Sequence, residues 1–347
     1  MINWKATKVW WIKNILIGMG LVILNLPCSA QKNNSEMTKD KKLNIACDIE
    51  TGTCKPTTEN GIEEINIMPQ KKVKLIYYTD PICSACWAIE PQLKKFKLEY
   101  GAYVDVEYKM GGLLPGWEGF ADNANGISKP TDVAHHWDEV GEYTSMSIDG
   151  DIWLEDPLDS SFPPSIAFKA AQRQGKDFAV NFLRNIREQL FLEKKNITKE
   201  QFLLKAITAC QGDTAQFLKD YHSETTKQSF YQEMEQGRSY GVRGFPTFIF
   251  IGTDNRGFRI SGMSGYANYV LALEKALGEK VTPQSIQMTE LDLLKKYGYL
   301  ATKEISFVRS QDDETTTKKL QQLVKQGKVK LEKQKFGDFW RFTEVTK

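Results

Sequence analysis

Histidine is scarce in this chain, and so is net charge. Three histidines among 347 residues, His135 and His136 side by side and His222 apart, give little from which to build a metal centre, because adjacent histidines point in different directions on a helix. A formal net charge of +2 leaves no whole-chain electrostatic argument for nucleic acid or for an acidic membrane. Internal repeats and long low-complexity tracts are absent. The apolar run from Ile15 to Leu26 falls short of the roughly 20 residues that span a bilayer. Cysteine is also sparse, at six, and those six carry most of what can be said about function.

The N-terminus has a pattern of its own. Lys5, Lys8 and Lys13 precede the apolar run, and Cys28-Ser29-Ala30-Gln31 follow it. A basic start, a short apolar stretch and small residues at a cut site form a secretory signal peptide, cleaved here after Ala30. The alternative is an uncleaved anchor if Trp10-Trp11-Ile12 extend the run, although Lys13 and Asn14 interrupt it. Export to the periplasm or cell envelope, or secretion, makes oxidised cysteine pairs possible. The mature chain keeps Cys47, Cys54, Cys83, Cys86 and Cys210, an odd number, so at least one thiol is left unpaired or shared.

Residues 31–70 are polar and without sustained periodicity. Their one feature is Cys47 and Cys54, separated by six residues that include Gly52. A local disulfide staple, a second redox pair and a metal site are all compatible with that spacing. From Val73 the pattern sharpens. The run Val73–Tyr78 suits a buried strand, Ala85, Ile89, Leu93 and Phe96 recur at helical spacing, and Val104, Val106, Tyr108 and Met110 alternate with charged residues. Pro91 predicts a kink in that helix. Strand, helix and strand predict a parallel pair with a right-handed crossover. Residues 114–236 read as helical: Phe178, Phe182, Ile186 and Leu190 form one stripe, Thr198 with Gln201 has the form of a capping box, and Asp213 suits an N-cap. Pro163-Pro164 reads as a loop. A strand from Phe245 to Ile251, a short strand at Phe258–Ile260 and a helix carrying Tyr266 to Leu277 close the pattern.

The tail from about Thr282 reads as a small separate unit resembling a winged helix, with helices near 289–296 and 315–326 and a hairpin of 328–333 with 339–342. Its thirteen Lys and Arg against nine Asp and Glu make no concentrated basic face for DNA, so protein contact or packing on the core is expected of it.

Cys83-Ser84-Ala85-Cys86 follows a strand and opens a helix. Spacing of three puts both sulfurs on one side of a helical turn, where they can close a disulfide. Unpaired N–H groups and the helix dipole favour negative charge there, which predicts a lowered pKa for Cys83. Zinc and an inert disulfide are the competing readings. Downstream, Pro246 opens an otherwise β-rich run; a cis Phe245–Pro246 bond would present backbone beside the dithiol.

These residues together carry a resemblance. Tyr78-Thr79-Asp80-Pro81-Ile82-Cys83-Ser84-Ala85-Cys86-Trp87, Glu90-Pro91 and Gly244-Phe245-Pro246-Thr247 resemble the DsbA-like thioredoxin superfamily, in the branch of protein-disulfide-isomerase-like proteins that also includes the YjbH-type protease adaptors. The resemblance covers about residues 71–280. It implies an α/β thioredoxin fold with a large helical insertion that caps the dithiol. Cys83 is the implied nucleophile and Cys86 the resolving thiol, while Trp87, Phe245, Pro246 and Thr247 are implied to line the substrate groove. The implied organisation is a signal peptide (1–30), a tether (31–70), a core split between 71–113 and 237–281, a helical insertion (114–236) and the winged-helix-like unit (282–347).

The function expected is disulfide exchange on protein substrates without metal or dissociable cofactor, with a redox recycling partner and no nucleic acid. A non-catalytic, redox-sensing adaptor is the alternative. Two departures bear on this choice. Ser84-Ala85 lacks the Pro-His of strongly oxidising members, and Tyr77 stands where many thioredoxins keep a buried carboxylate. The adaptor members work in the cytosol, against the signal peptide here.

Overall fold

A computed structural model of the chain describes residues 45–47, 54–56, 72–123 and 125–343. The segments expected to be a signal peptide (1–30) and most of the expected tether (31–70) lie outside the described residues. The first of two compact units, Met1–Ile67, contains an antiparallel ribbon of β1 (Ile45–Cys47) and β2 (Cys54–Pro56), whose register sets Cys47 opposite Cys54.

The second unit, Met68–Lys347, is built on a four-stranded sheet. Its strands are β3 (Val73–Thr79), β4 (Val104–Met110), β5 (Thr247–Ile251) and β6 (Gly257–Ser261), in the order β4-β3-β5-β6. The β3–β4 pair is parallel and the others are antiparallel, as strand–helix–strand followed by a hairpin requires. The crossover is α1 (Ser84–Ala88) and α2 (Glu90–Tyr100), interrupted at Ile89. Pro91 lies in the first turn of α2, where its missing N–H is one of the donors a helix start leaves unpaired anyway. β3 is buried on both faces. Val73, Leu75 and Tyr77 join the main core, while Ile76 and Tyr78 join Ile249 in a second cluster.

Between β4 and β5 runs the helical insertion: α3 (Pro130–Thr144), α4 (Ile152–Glu155), α5 (Phe162–Gln172), α6 (Lys176–Phe191), α7 (Glu200–Ala209), α8 (Thr214–Tyr221) and α9 (Glu224–Ser239). Asp213 caps α8 by accepting from Gln216 N at 2.9 Å. Two expectations need correction. Pro163 and Pro164 lie in α5 rather than in a loop, because a helix start tolerates proline. Thr198 caps nothing: its hydroxyl bonds Asn196 Oδ1 at 2.5 Å, and α7 begins after Lys199 without a side-chain cap. The last core element, α10 (Tyr266–Leu277), packs Tyr269 edge-on against Phe248 of β5.

The tail comprises α11 (Glu290–Tyr297), β7 (Tyr299–Ala301), α12 (Thr302–Arg309), α13 (Asp313–Lys325), β8 (Val329–Lys333) and β9 (Asp338–Phe342). Its sheet is ordered β7-β9-β8, and both α12 and β7 are additions to the expected pattern. It has its own cluster of Leu293, Leu300, Ile305, Leu320 and Trp340, yet it is not separate. Glu304 of α12 is fully buried between Arg184 (2.8 and 2.9 Å) and Lys94 (3.6 Å), and Lys335 reaches Asp138, Asp149 and Asp151 on the insertion. A charge buried at the seam needs its partners, so the tail is part of the body. Among the described residues no helix is long and apolar enough to cross a membrane.

Candidate redox site

The dithiol sits where β3 ends. Asp80 leaves the strand, its carboxylate accepts from Ile82 N at 3.1 Å, and Cys83 N donates to Asp80 O at 3.2 Å. This turn makes Cys83 the N-cap of α1, with its Sγ accepting from Cys86 N at 3.1 Å. The same carboxylate accepts from Leu113 N (2.8 Å) and Ser161 Oγ (2.9 Å), so one buried group ties the redox turn to the insertion. Burial pushes Asp80 up to about 6, against the hydrogen bonds it accepts.

Cys83 is 4% exposed and Cys86 is fully buried. Cys83 lines a cavity of about 160 Å³ with Leu113, Trp117, Ile127, His136 and Phe245, and Cys86 does not reach it. Of the two sulfurs, Cys83 is therefore the one that reaches the cavity. The charge is arranged differently from expectation. Burial is the largest influence on Cys83 and pushes its thiol well above the usual value. Burial raises Cys86 too. There the hydrogen bond from Cys83, the Arg187 guanidinium, the Thr79 hydroxyl and the Asp80 N–H outweigh it, so its thiol falls below the usual value. The two thiols titrate as a coupled pair, in which these influences favour the charge on Cys86. The lowered thiol predicted for Cys83 is thus found one helical turn on.

The Phe245–Pro246 bond is cis, and the Phe245 ring lines the cavity. Two groove assignments are corrected. Trp87 is fully buried, donates from Nε1 to Ser147 O at 3.0 Å and lies under Arg184 at 4.4 Å; it backs the dithiol helix instead of facing a partner. Thr247 is fully buried in β5, paired on both sides, with its hydroxyl spent on Gly244 O at 2.7 Å. Cys210 is half-buried and raised to about 11 by burial. His135 faces Glu139 at 3.1 Å, away from the cavity its neighbour lines. Among the described residues no group of three or more His, Cys, Asp or Glu is placed to hold a metal ion.

Arg187, the Asp80 carboxylate and Ser161 were not singled out from the sequence. Arg187 had a signal: it falls four residues after Leu183 on the apolar face of α6, an unusual place for a charge.

A thioredoxin family model matches residues 77–271, more than half of the chain, and this span includes Asp80, Cys83, Cys86, Arg187 and Pro246. This chain belongs to the thioredoxin family. Within it, the chain falls in the DsbA-like superfamily and the YjbH-like branch. The ClpXP adapter protein SpxH of Halalkalibacterium halodurans is 35% identical over 303 residues, covering 86% of this chain and 97% of that protein. The ClpXP adapter protein SpxH of Bacillus subtilis is 31% identical over 277 residues, covering 79% and 90%. Among solved structures, a candidate protein disulfide isomerase of Nitrosomonas europaea superposes with a TM-score of 0.50 at 19% identity, covering 60% of this chain and 97% of that one; this likeness concerns the fold. This chain therefore carries the thioredoxin fold plus a large additional part.

Proposed function

We propose that this chain is a redox-responsive protein adaptor: it binds a client protein and uses Cys83 and Cys86 to make that binding sensitive to the thiol state of its surroundings. The observation that carries this reading is the extent of the match to the SpxH adapters. An alignment over 86% of the chain is longer than residues 1–281, so it reaches into the C-terminal unit, whereas the disulfide-isomerase likeness spans 60%. Adaptor relatives share more than the redox core. The tail's burial against the insertion supports the same reading, since it makes one continuous body for a client.

Catalysis of disulfide exchange is the second reading, favoured by Cys83 lining the cavity with Cys86 one helical turn behind it. In it, Cys83 attacks a client disulfide and Cys86 then releases the client. We propose export as well, from the basic, short apolar and small-residue pattern of residues 1–30. The client is then a protein of the cell envelope, not the ClpXP named for the relatives. Cys47 and Cys54 are proposed as a second disulfide couple.

Trapping in the source cell tests the choice. In the adaptor reading, one dominant client copurifies both with Cys86→Ser and with the double variant Cys83→Ser/Cys86→Ser. Many clients held covalently by Cys86→Ser and none by the double variant would instead make the chain a general oxidoreductase. Fractionation of the same cells locates the chain.

A further inference from the structure

The cavity that Cys83 lines is walled by aromatic rings. Trp117 and Phe120 come from the segment between β4 and α3, Trp137 from α3, Trp153 from α4 and Phe245 from the turn into β5. The rings stand edge to face. Trp153 meets Trp117 at 88° with 5.8 Å between centroids, and Trp137 at 84° with 5.2 Å. Phe120 meets Trp117 at 87° and 5.5 Å. Trp117 is fixed by its Nε1, which donates to Leu158 O at 2.8 Å, and Phe245 by its seat on Gly111. Trp137 and Trp153 are buried, whereas Trp117, Phe120 and Phe245 stay half-buried. Large rings gathered and left partly open mark a place where something apolar binds.

Size and walls narrow the occupant. At about 160 Å³ the cavity is close to the roughly 150 Å³ in which apolar walls hold one benzene ring. Walls that are themselves rings favour a ring over an aliphatic chain, because edge-to-face and offset pairs gain beyond what area burial supplies. We propose that this cavity is the recognition site for a single-ring aromatic side chain of the client, phenylalanine or tyrosine, beside the client cysteine that meets Cys83. The sulfur and the rings bound one space the size of one ring, and residues of an extended chain are about 3.3 Å apart. Ring and cysteine are therefore within a residue or two of each other in the client. The proposal rests on Cys83 exchanging with a client sulfur, and it adds what selects that client. Four of the five rings belong to the insertion, so the insertion makes the choice.

The test isolates the first exchange in the full mature chain carrying Cys86→Ser. The Cys83 thiol gives its proton to solvent, and the thiolate attacks one sulfur of a symmetrical peptide disulfide. One S–S bond forms and one breaks, and the second peptide leaves as a thiolate that takes a proton from solvent. The peptide disulfide is the only oxidant. The peptides are the disulfides of acetyl-Cys-X-amide and acetyl-X-Cys-amide, with X alanine, leucine or phenylalanine, and the Cys83 mixed disulfide is followed by peptide mass.

In at least one order, the phenylalanine peptide should react about tenfold faster than the alanine peptide, the gain expected from burying one such ring, and a few-fold faster than the leucine peptide. Val133 of α3 is buried and lines the same cavity. Val133→Phe fills the space from within and should bring the phenylalanine-to-alanine ratio close to one. Saturating toluene should do the same without that substitution, and it decides alone should Val133→Phe fail to fold. Equal rates for phenylalanine and leucine in both orders, or a phenylalanine preference that toluene leaves intact, overturn the proposal: the first shows no selection for a ring, and the second places the selection elsewhere. A chain that forms no mixed disulfide at Cys83 with any peptide fails differently, because it removes the reading beneath the proposal along with it.

Discussion

Trp87 and Phe339 lie parallel, with 2° between their planes and 6.3 Å between ring centroids. The first follows Cys86 on the redox helix and the second belongs to the last strand of the tail. A ring from the C-terminus therefore packs against the residue beside the resolving cysteine. Phe339→Ala should cost about 3–5 kcal/mol, the range for removing a buried phenylalanine, in a single cooperative urea transition that also exposes Cys86 to alkylation. A separate, earlier transition of the tail that left Cys86 protected would mean the two parts fold independently.

Asp80 carries the pH dependence. A buried carboxylate raised from 3.8 to about 6 contributes stability that is fully present below the unfolded value and is lost as pH rises through about 6. The difference corresponds to roughly 3 kcal/mol. Asp80→Asn cannot ionise, so relative to the unaltered protein it should gain about that much between pH 4 and pH 7.5. Paired urea titrations at the two pH values measure the change. A stability difference that stays constant with pH would show that the carboxylate does not titrate in this range.

Much of this architecture was readable before any coordinates. The alternation of Val104, Val106, Tyr108 and Met110 marked a half-buried strand, and the Cys83–Cys86 spacing after a strand marked the site, because both signals are local. The missed features are those that depend on distant partners. Trp87 sits in the motif yet faces inward, because Ser147, Arg184 and Phe339 close over it. The lowered thiol is Cys86 and not Cys83 because burial, which raises both, is outweighed at Cys86 by its hydrogen bond with Cys83 and by the guanidinium of Arg187, about a hundred residues downstream. The tail looked detachable because the partners of Glu304 lie in α2 and α6.

Gly111 provides a test of the cavity wall. A Cβ there would fall 1.9 Å from Phe245 Cζ, so the Phe245 ring rests directly on the glycine. Gly111→Ala forces the ring away and should destabilise the fold by about 1–3 kcal/mol, as overpacking does. Disulfide exchange at Cys83 with a small aromatic disulfide should slow at the same time. Adding Phe245→Leu should recover part of the stability, a non-additivity expected only between touching groups. Strictly additive losses would place the two side chains apart.

The ribbon of the first unit makes the last prediction. Directly opposed residues in an antiparallel pair have Cα atoms about 4.5 or 5.5 Å apart, according to whether the pair is hydrogen-bonded. Both values fall within the roughly 4.4–6.8 Å that a disulfide spans, so Cys47 and Cys54 satisfy the requirement in either case. Two strands of three residues are marginal by themselves in water, and a bond closing this short loop would contribute about 2.5 kcal/mol by restricting the unfolded chain. Protein isolated without reductant should therefore yield a peptide carrying both cysteines that is lighter by two hydrogen atoms and resists alkylation until reduced. The same result is expected in Cys83→Ser/Cys86→Ser, because small disulfides such as oxidised glutathione supply the oxidant: each pair of protein thiols oxidised leaves two glutathione thiols. If both cysteines alkylate fully without reduction, the ribbon holds no disulfide and the second couple is excluded.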